Sequence, residues 1–160
     1  MMKSIWKTVL GLGLASALLV GCANTSNSSK GVKHIGILQY VEHESLTAAR
    51  KGFIDELEKE GYKDGDKIEI EYKNGQGDQS NLQSISEKLV KDNDLVLGIA
   101  TPAAQSLVAA SSETPILFTA VTDPVSADLV KTMKKPGGLA TGTSDMSPIN
   151  KQVELLQKVM

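Results

Sequence analysis

Leu95-Val96-Leu97-Gly98-Ile99-Ala100-Thr101-Pro102-Ala103-Ala104-Gln105 is the stretch on which the fold turns. Its first five residues are all apolar or glycine. They read as a strand buried on both faces, the pattern of the middle of a parallel sheet. Thr101-Pro102 then offers an N-cap and a first-turn proline, so a helix over Ala103 to Ala110 is expected to follow at once.

The same alternation extends in both directions. Upstream, His34-Ile35-Gly36-Ile37-Leu38 is a short apolar run that reads as a buried strand. Leu46, Ala49, Phe53 and Leu57 recur at helical spacing, and Gly61 stands where a C-cap glycine belongs. Lys67 to Tyr72 alternates polar and apolar, the mark of a half-exposed strand at an edge. Leu82, Ile85 and Leu89 define a second helix, with Asp78 or Ser80 as its cap. Downstream, Pro115 precedes a strand over Ile116 to Ala120. A short helix is expected around Val125 to Met133, ended by Pro136-Gly137-Gly138, and then a strand over Leu139 to Thr143. Ser147-Pro148 reads as a cap and first-turn proline for a helix carrying Ile149, Val153, Leu156 and Met160 on one face.

Strand–helix units in series predict an α/β fold: a parallel sheet flanked by helices on both faces and joined by right-handed crossovers. The last helix has neither a C-cap nor a following strand, and its apolar face needs a partner. The chain therefore reads as truncated.

The amino-terminal segment is of another kind. Lys3 and Lys7 precede an uncharged, apolar or small stretch from Val9 to Val20, too short for a comfortable membrane span. It closes as Leu19-Val20-Gly21-Cys22, which resembles a bacterial lipobox. Residues 1–21 are expected to be a lipoprotein signal peptide, with Cys22 carrying the lipid. The competing reading is an uncleaved membrane helix beside a buried thiol. Cys22 is the only cysteine, so the folded part holds no disulfide. Residues 22–32 are polar and of low complexity, as a flexible tether would be. An α/β lobe is expected over 33–145, and a crossover with a further helix over 146–160.

Charge narrows the function. Two of the 17 basic residues, Lys3 and Lys7, fall in the expected signal peptide, which leaves 15 against 19 acidic residues and a formal charge of −4. Arg50 is the only arginine and no basic patch is visible, so nucleic acid is not an expected partner. No nucleophile elbow, phosphate loop or metal-ligand cluster occurs, and neither enzymatic activity nor a cofactor or metal is expected. Gly11-Leu12-Gly13 imitates a dinucleotide fingerprint but follows no strand. Glu42-His43-Glu44 imitates a metal or acid–base group, yet adjacent residues do not share a face.

In an open parallel sheet, ligands bind beyond the carboxyl ends of the strands. The residues expected there are Gln39-Tyr40-Val41-Glu42-His43-Glu44, Asn74-Gly75-Gln76-Gly77-Asp78, Ala100-Thr101-Pro102-Ala103-Ala104-Gln105, Val121-Thr122-Asp123-Pro124 and Ser144-Asp145. Their amide, hydroxyl and carboxylate groups suit a cleft for a small polar solute. The amino-terminal end of the helix after Ala100 carries unpaired N–H groups and about half a positive charge, and a ligand carboxylate is its natural guest. Asp123 is placed to meet an ammonium group. Each also has a plain structural reading, with Thr101 a cap and Asp123 the start of a turn before Pro124.

Leu38 to His43, Asn74 to Asp78, Ile99 to Gln105, Val121 to Pro124 and Gly142 to Asp145 together resemble the ABC transporter substrate-binding proteins of the tryptophan/tyrosine uptake type. The resemblance runs from about His34 to Met160. It implies the first lobe of a type I periplasmic-binding fold, truncated before the second lobe, and an aromatic amino acid such as tryptophan or tyrosine as solute. It also implies an ABC permease subunit as partner, with the protein exported and lipid-anchored to the outer face of the bacterial cell membrane. Gln39, Glu42, Asn74, Thr101, Ala103, Thr122, Asp123 and Ser144 would be first-lobe contacts. Relatives usually carry alanine where this chain has Gly75, which would leave that loop more flexible. The alternative is a ligand-sensing or signalling lipoprotein that uses the same fold without transport.

Overall fold

A computed structural model describes residues 31–160; the expected signal peptide, Cys22 and most of the tether lie outside the described residues. The elements are β1 (Lys33–Gln39), α1 (Glu44–Lys59), β2 (Ile68–Asn74), α2 (Gln79–Asp92), β3 (Leu95–Ile99), α3 (Thr101–Ala110), β4 (Ile116–Val121), β5 (Ala140–Ser144) and α4 (Ile149–Val159). All five strands are parallel, in the order β2-β1-β3-β4-β5. The expected parallel α/β architecture is therefore present, with β3 in the centre and the alternating strand β2 at an edge.

Period-two alternation sends each strand's side chains to two different layers. On one face Leu38, Val96, Ile116 and Phe118 pack with Leu82 and Leu89 of α2 and Leu107 of α3. On the other, Ile35, Ile37, Ile68, Leu97 and Ile99 pack against Leu46, Ala49, Phe53 and Leu57 of α1. The α3 helix lies close on β3: a Cβ built on Gly98 would stand 2.8 Å from Ala104 Cα and 2.9 Å from its nitrogen. Only glycine fits there. Beside α1, β4 and β5 are left open as a shallow apolar groove lined by Phe53, Leu97, Leu117, Thr119 and Thr143.

Local expectations hold at several ends. Asp78 caps α2 by accepting the Asn81 N–H at 2.8 Å. Gly61 follows α1 with φ +82, the left-handed conformation that favours glycine.

Others are corrected. Residues 125–133 form turns, not a helix. The Asp123 carbonyl accepts from Ala127 N (3.0 Å) and the Pro124 carbonyl from Leu129 N (3.0 Å), but Asp128 then takes φ +56 and breaks the run. This turn lets the consecutive Leu129 and Val130 both enter the core. Thr101 is the first residue of α3 and not its cap. The cap position belongs to Ala100, which has φ +80 and no side-chain bond to offer. Ser147 does not cap α4 either, since Pro148 occupies that position without a side-chain bond. Gly75 is not a flexible point: it is buried, and a Cβ there would lie 2.5 Å from Leu82 Cδ2. No residue of α4 is buried, so the apolar face carrying Ile149, Val153, Leu156 and Met160 is exposed.

Candidate functional site

The strand order reverses between β1 and β3, because β1 has β2 on its other side and β3 has β4. From β1 the chain passes to α1 on one face; from β3 it passes to α3 on the other. The two connections diverge and open a crevice at the carboxyl ends of these strands, the position where open α/β sheets take ligands. The rim is knitted by backbone. Tyr40 N donates to the Ile99 carbonyl (3.1 Å), Gly75 N to Gln39 (2.9 Å), Gly77 N to Tyr40 (2.9 Å), Ala100 N to Thr119 (3.0 Å) and Asp145 N to Val121 (3.1 Å).

The α3 helix begins directly at this crevice. Ala100 has φ +80 and ψ 155, a conformation almost confined to glycine. It turns the chain from strand to helix within one residue. The first-turn amides of Thr101 and Ala103 have no partner within the helix, and Pro102 has no N–H to leave unpaired. Strain recurs along the same edge, with Gln76 and Ala120 both at φ +55.

The expected site residues divide. Gln39 and Ala103 sit beneath the rim, each 0% exposed. The Gln39 amide donates to the Val41 carbonyl (2.9 Å) and Thr47 Oγ1 (3.2 Å), and its Oε1 accepts from Arg50 Nε (3.2 Å). Ala103 and Ala104 turn their methyl groups into the core, so a ligand would meet only backbone there. Tyr40 is half-buried, with its hydroxyl 3.4 Å from the Gly77 carbonyl, and Thr101 and Pro102 are also half-buried at the start of α3. Thr122, Ser144 and Asp145 are exposed at the ends of β4 and β5; Ser144 Oγ donates to the Thr122 carbonyl at 2.7 Å.

The two acidic rim residues are held differently. Asp123 closes its own turn, accepting from Val125 N (3.2 Å), Ser126 N (3.0 Å) and Ser126 Oγ (2.6 Å). The Ser126 hydroxyl, with the Ser126 and Val125 amides, holds the Asp123 carboxyl below the usual carboxylate range. Glu42 is bound by groups from other elements. Thr47 Oγ1 donates to its Oε1 (2.7 Å), and Asn74 Nδ2 (3.1 Å) and the Tyr72 hydroxyl (3.3 Å) donate to its Oε2. The Thr47 bond most strongly, then Tyr72 and Asn74 and last the charge of Arg50, keeps the Glu42 carboxyl low against the opposing effect of burial. Beneath it the Arg50 guanidinium lies over the Tyr72 ring, 4.0 Å from its centre. Thr47, Arg50 and Tyr72 were not among the expected site residues, and only their polar character on α1 and an edge strand hinted at them.

A groove of about 520 Å³ lies elsewhere, toward the amino-terminal ends of β4 and β5 under residues 125–138, and none of the expected site residues lines it.

Residues 34–160 match the family described as ABC transporter substrate binding protein. The chain belongs to this family. A tyrosine-binding protein of Clostridioides difficile is 47% identical over 166 residues, covering 97% of this chain and 48% of the relative. Among solved structures, an ABC domain from Streptococcus pneumonia in complex with L-Trp has 51% identity and a TM-score of 0.75, covering 78% of this chain and 42% of that one. The ligand-free, open form of a substrate binding protein with adhesive properties from Clostridium difficile has 50% identity and a TM-score of 0.75, covering 79% and 43%. The chain thus spans about half the length of the relatives it matches.

Proposed function

We propose that this chain forms the first lobe of an extracytoplasmic binding protein that delivers an aromatic amino acid, tryptophan or tyrosine, to an ABC permease. The observation that carries the reading is the switch point between β1 and β3. There the amino-terminal end of α3 and the Glu42 cluster flank one crevice, in a family that binds substrates for ABC transporters. The relatives named for tyrosine and solved with L-Trp support the choice of ligand class. Tyr40, Glu42, Asn74, Thr101, Pro102, Thr122, Asp123, Ser144 and Asp145 make up the proposed wall, and the α3 backbone takes the ligand carboxylate. The reading is a binding protein and not an enzyme. In this reading a second lobe supplies the opposing wall, and residues 146–160 lead into it.

Among the described residues no helix is long and apolar enough to cross a membrane. Membrane attachment in this reading comes from lipid on Cys22 after removal of residues 1–21. Cys22→Ala is expected to release the protein from the membrane fraction, and an unchanged distribution would count against the anchor.

A thermal-shift screen of this chain against the twenty amino acids, sugars and nucleosides tests the ligand. Stabilisation follows RT ln(1 + [L]/Kd), so weak binding by one lobe still shows at ligand concentrations well above Kd. Tryptophan and tyrosine are expected to raise the midpoint in a concentration-dependent way. A response confined to sugars or nucleosides would refute the reading.

A further inference from the structure

We propose that Glu42 is the group that takes the ligand's ammonium, with Thr47, Tyr72 and Asn74 as its positioning residues; this rests on the reading of the rim as an amino-acid site. Glu42 lies on the connection that leaves β1, and the Tyr40 N–H bond to the Ile99 carbonyl shows that this connection starts beside the one leading into α3. Its three donors stand 5, 30 and 32 residues away in the chain, on α1 and β2. Only the folded sheet edge brings them together. An exposed glutamate ordinarily keeps its rotamer freedom, and fixing it costs entropy that a surface role would not require.

The charge is the second argument. All three donors are neutral. Among the described residues, no lysine, arginine or histidine forms an ion pair with Glu42. Arg50 lies beneath the cluster but donates to Gln39 and stacks on Tyr72. Glu42 is therefore an oriented carboxylate without an ion-pair partner, on which the Arg50 charge acts only weakly and from a distance, and a carboxylate with three donors still has room for another. Asp123 differs, because its donors all come from the next three residues and build a turn. With the positive end of α3 on the β3 side and Glu42 on the β1 side, the two halves of a zwitterion meet opposite charges across the switch point.

The test titrates the 15N-labelled chain with L-tryptophan, tryptamine and indole-3-propionate, following the rim amides of residues 75–78, 100, 101 and 103–105 by NMR. Tryptamine lacks the carboxylate and indole-3-propionate lacks the ammonium. Glu42→Gln is expected to weaken L-tryptophan and tryptamine about tenfold or more, the loss of one charge-assisted hydrogen bond, and to leave indole-3-propionate unchanged. Tyr72→Phe should move the same two compounds in the same direction by less, a ligand selectivity that general loosening would not produce. Asp123→Asn is expected to show no selectivity among the three compounds. Loss of all three compounds alike in Glu42→Gln, no loss, or an ammonium-selective loss in Asp123→Asn would overturn the assignment alone. If no compound shifts the rim of the unaltered chain, the amino-acid reading falls and the assignment with it.

Discussion

Replacing Ala100 by glycine should make this protein more stable, which is the reverse of what the same change does in a helix. Ala100 holds φ +80 and ψ 155, where a Cβ is crowded by its own backbone, a state that costs about 1–3 kcal/mol for a residue other than glycine. Its position is enforced from both sides, since its N–H donates to the Thr119 carbonyl and its carbonyl accepts from Ala104 N (3.0 and 3.1 Å). Removing the methyl relieves the strain without touching either bond. Against this stands glycine's larger loss of backbone freedom on folding, about 0.5–1 kcal/mol. The net expectation is a gain of about 0.5–2 kcal/mol, seen as a rise of several degrees in the thermal midpoint. Urea denaturation followed by circular dichroism gives the number directly, and Ala48→Gly on the exposed face of α1 is the control, expected to lose about 0.5–1 kcal/mol. If both variants lose stability equally, Ala100 is unstrained and the strain argument at the rim is wrong.

Three further outcomes are expected. Gly98→Ala drives a Cβ to within 2.8 Å of the α3 backbone and should cost about 1–3 kcal/mol in urea, with no compensation from neighbouring side chains. Ser86 and Ser106 share a buried hydrogen bond of 2.8 Å between α2 and α3. Either single alanine change should cost about 1–3 kcal/mol, and the double change less than the sum, which a double-mutant cycle reads out. Glu42, Asp94 and Asp123 all have carboxyls held below their usual range, by Thr47, Lys33 and Ser126 respectively. The unfolded chain then binds more protons than the native one, so their contribution is full above the ordinary carboxylate range and fades as pH falls through the lowered values. Melting temperatures measured from neutral to acid pH should fall in that window, and Asp123→Asn should flatten the fall.

The sheet was legible because its strands are short apolar runs and its first three helices carry clear faces. The Leu95–Ile99 strand and the Lys67–Tyr72 alternation placed the centre and one edge. What misled was local grammar without its tertiary setting. Thr101-Pro102 reads as a cap and first turn, yet the strand runs so directly into α3 that the cap falls one residue earlier, on a strained alanine. Val125 to Met133 reads as a short helix. Burial of both Leu129 and Val130 and the left-handed Asp128 decide otherwise. At the rim, the backbone edge could be read from the sequence, but the Glu42 cluster could not. Contacts across 30 and 32 residues leave no spacing to detect.

Gly98 seats α3 against the central strand so tightly that the crevice floor cannot shift without unpacking the layer that α2 and α3 form on that face. Around that floor the tips at Glu42 and His43, at Gln76 to Asp78, and at Thr122, Val125 and Ser126 are exposed. On the proposed reading, natural variation can therefore retune which solute is chosen by altering those tips while the foldable frame is inherited unchanged. A lineage of such proteins would be expected to diversify its diet faster than its architecture.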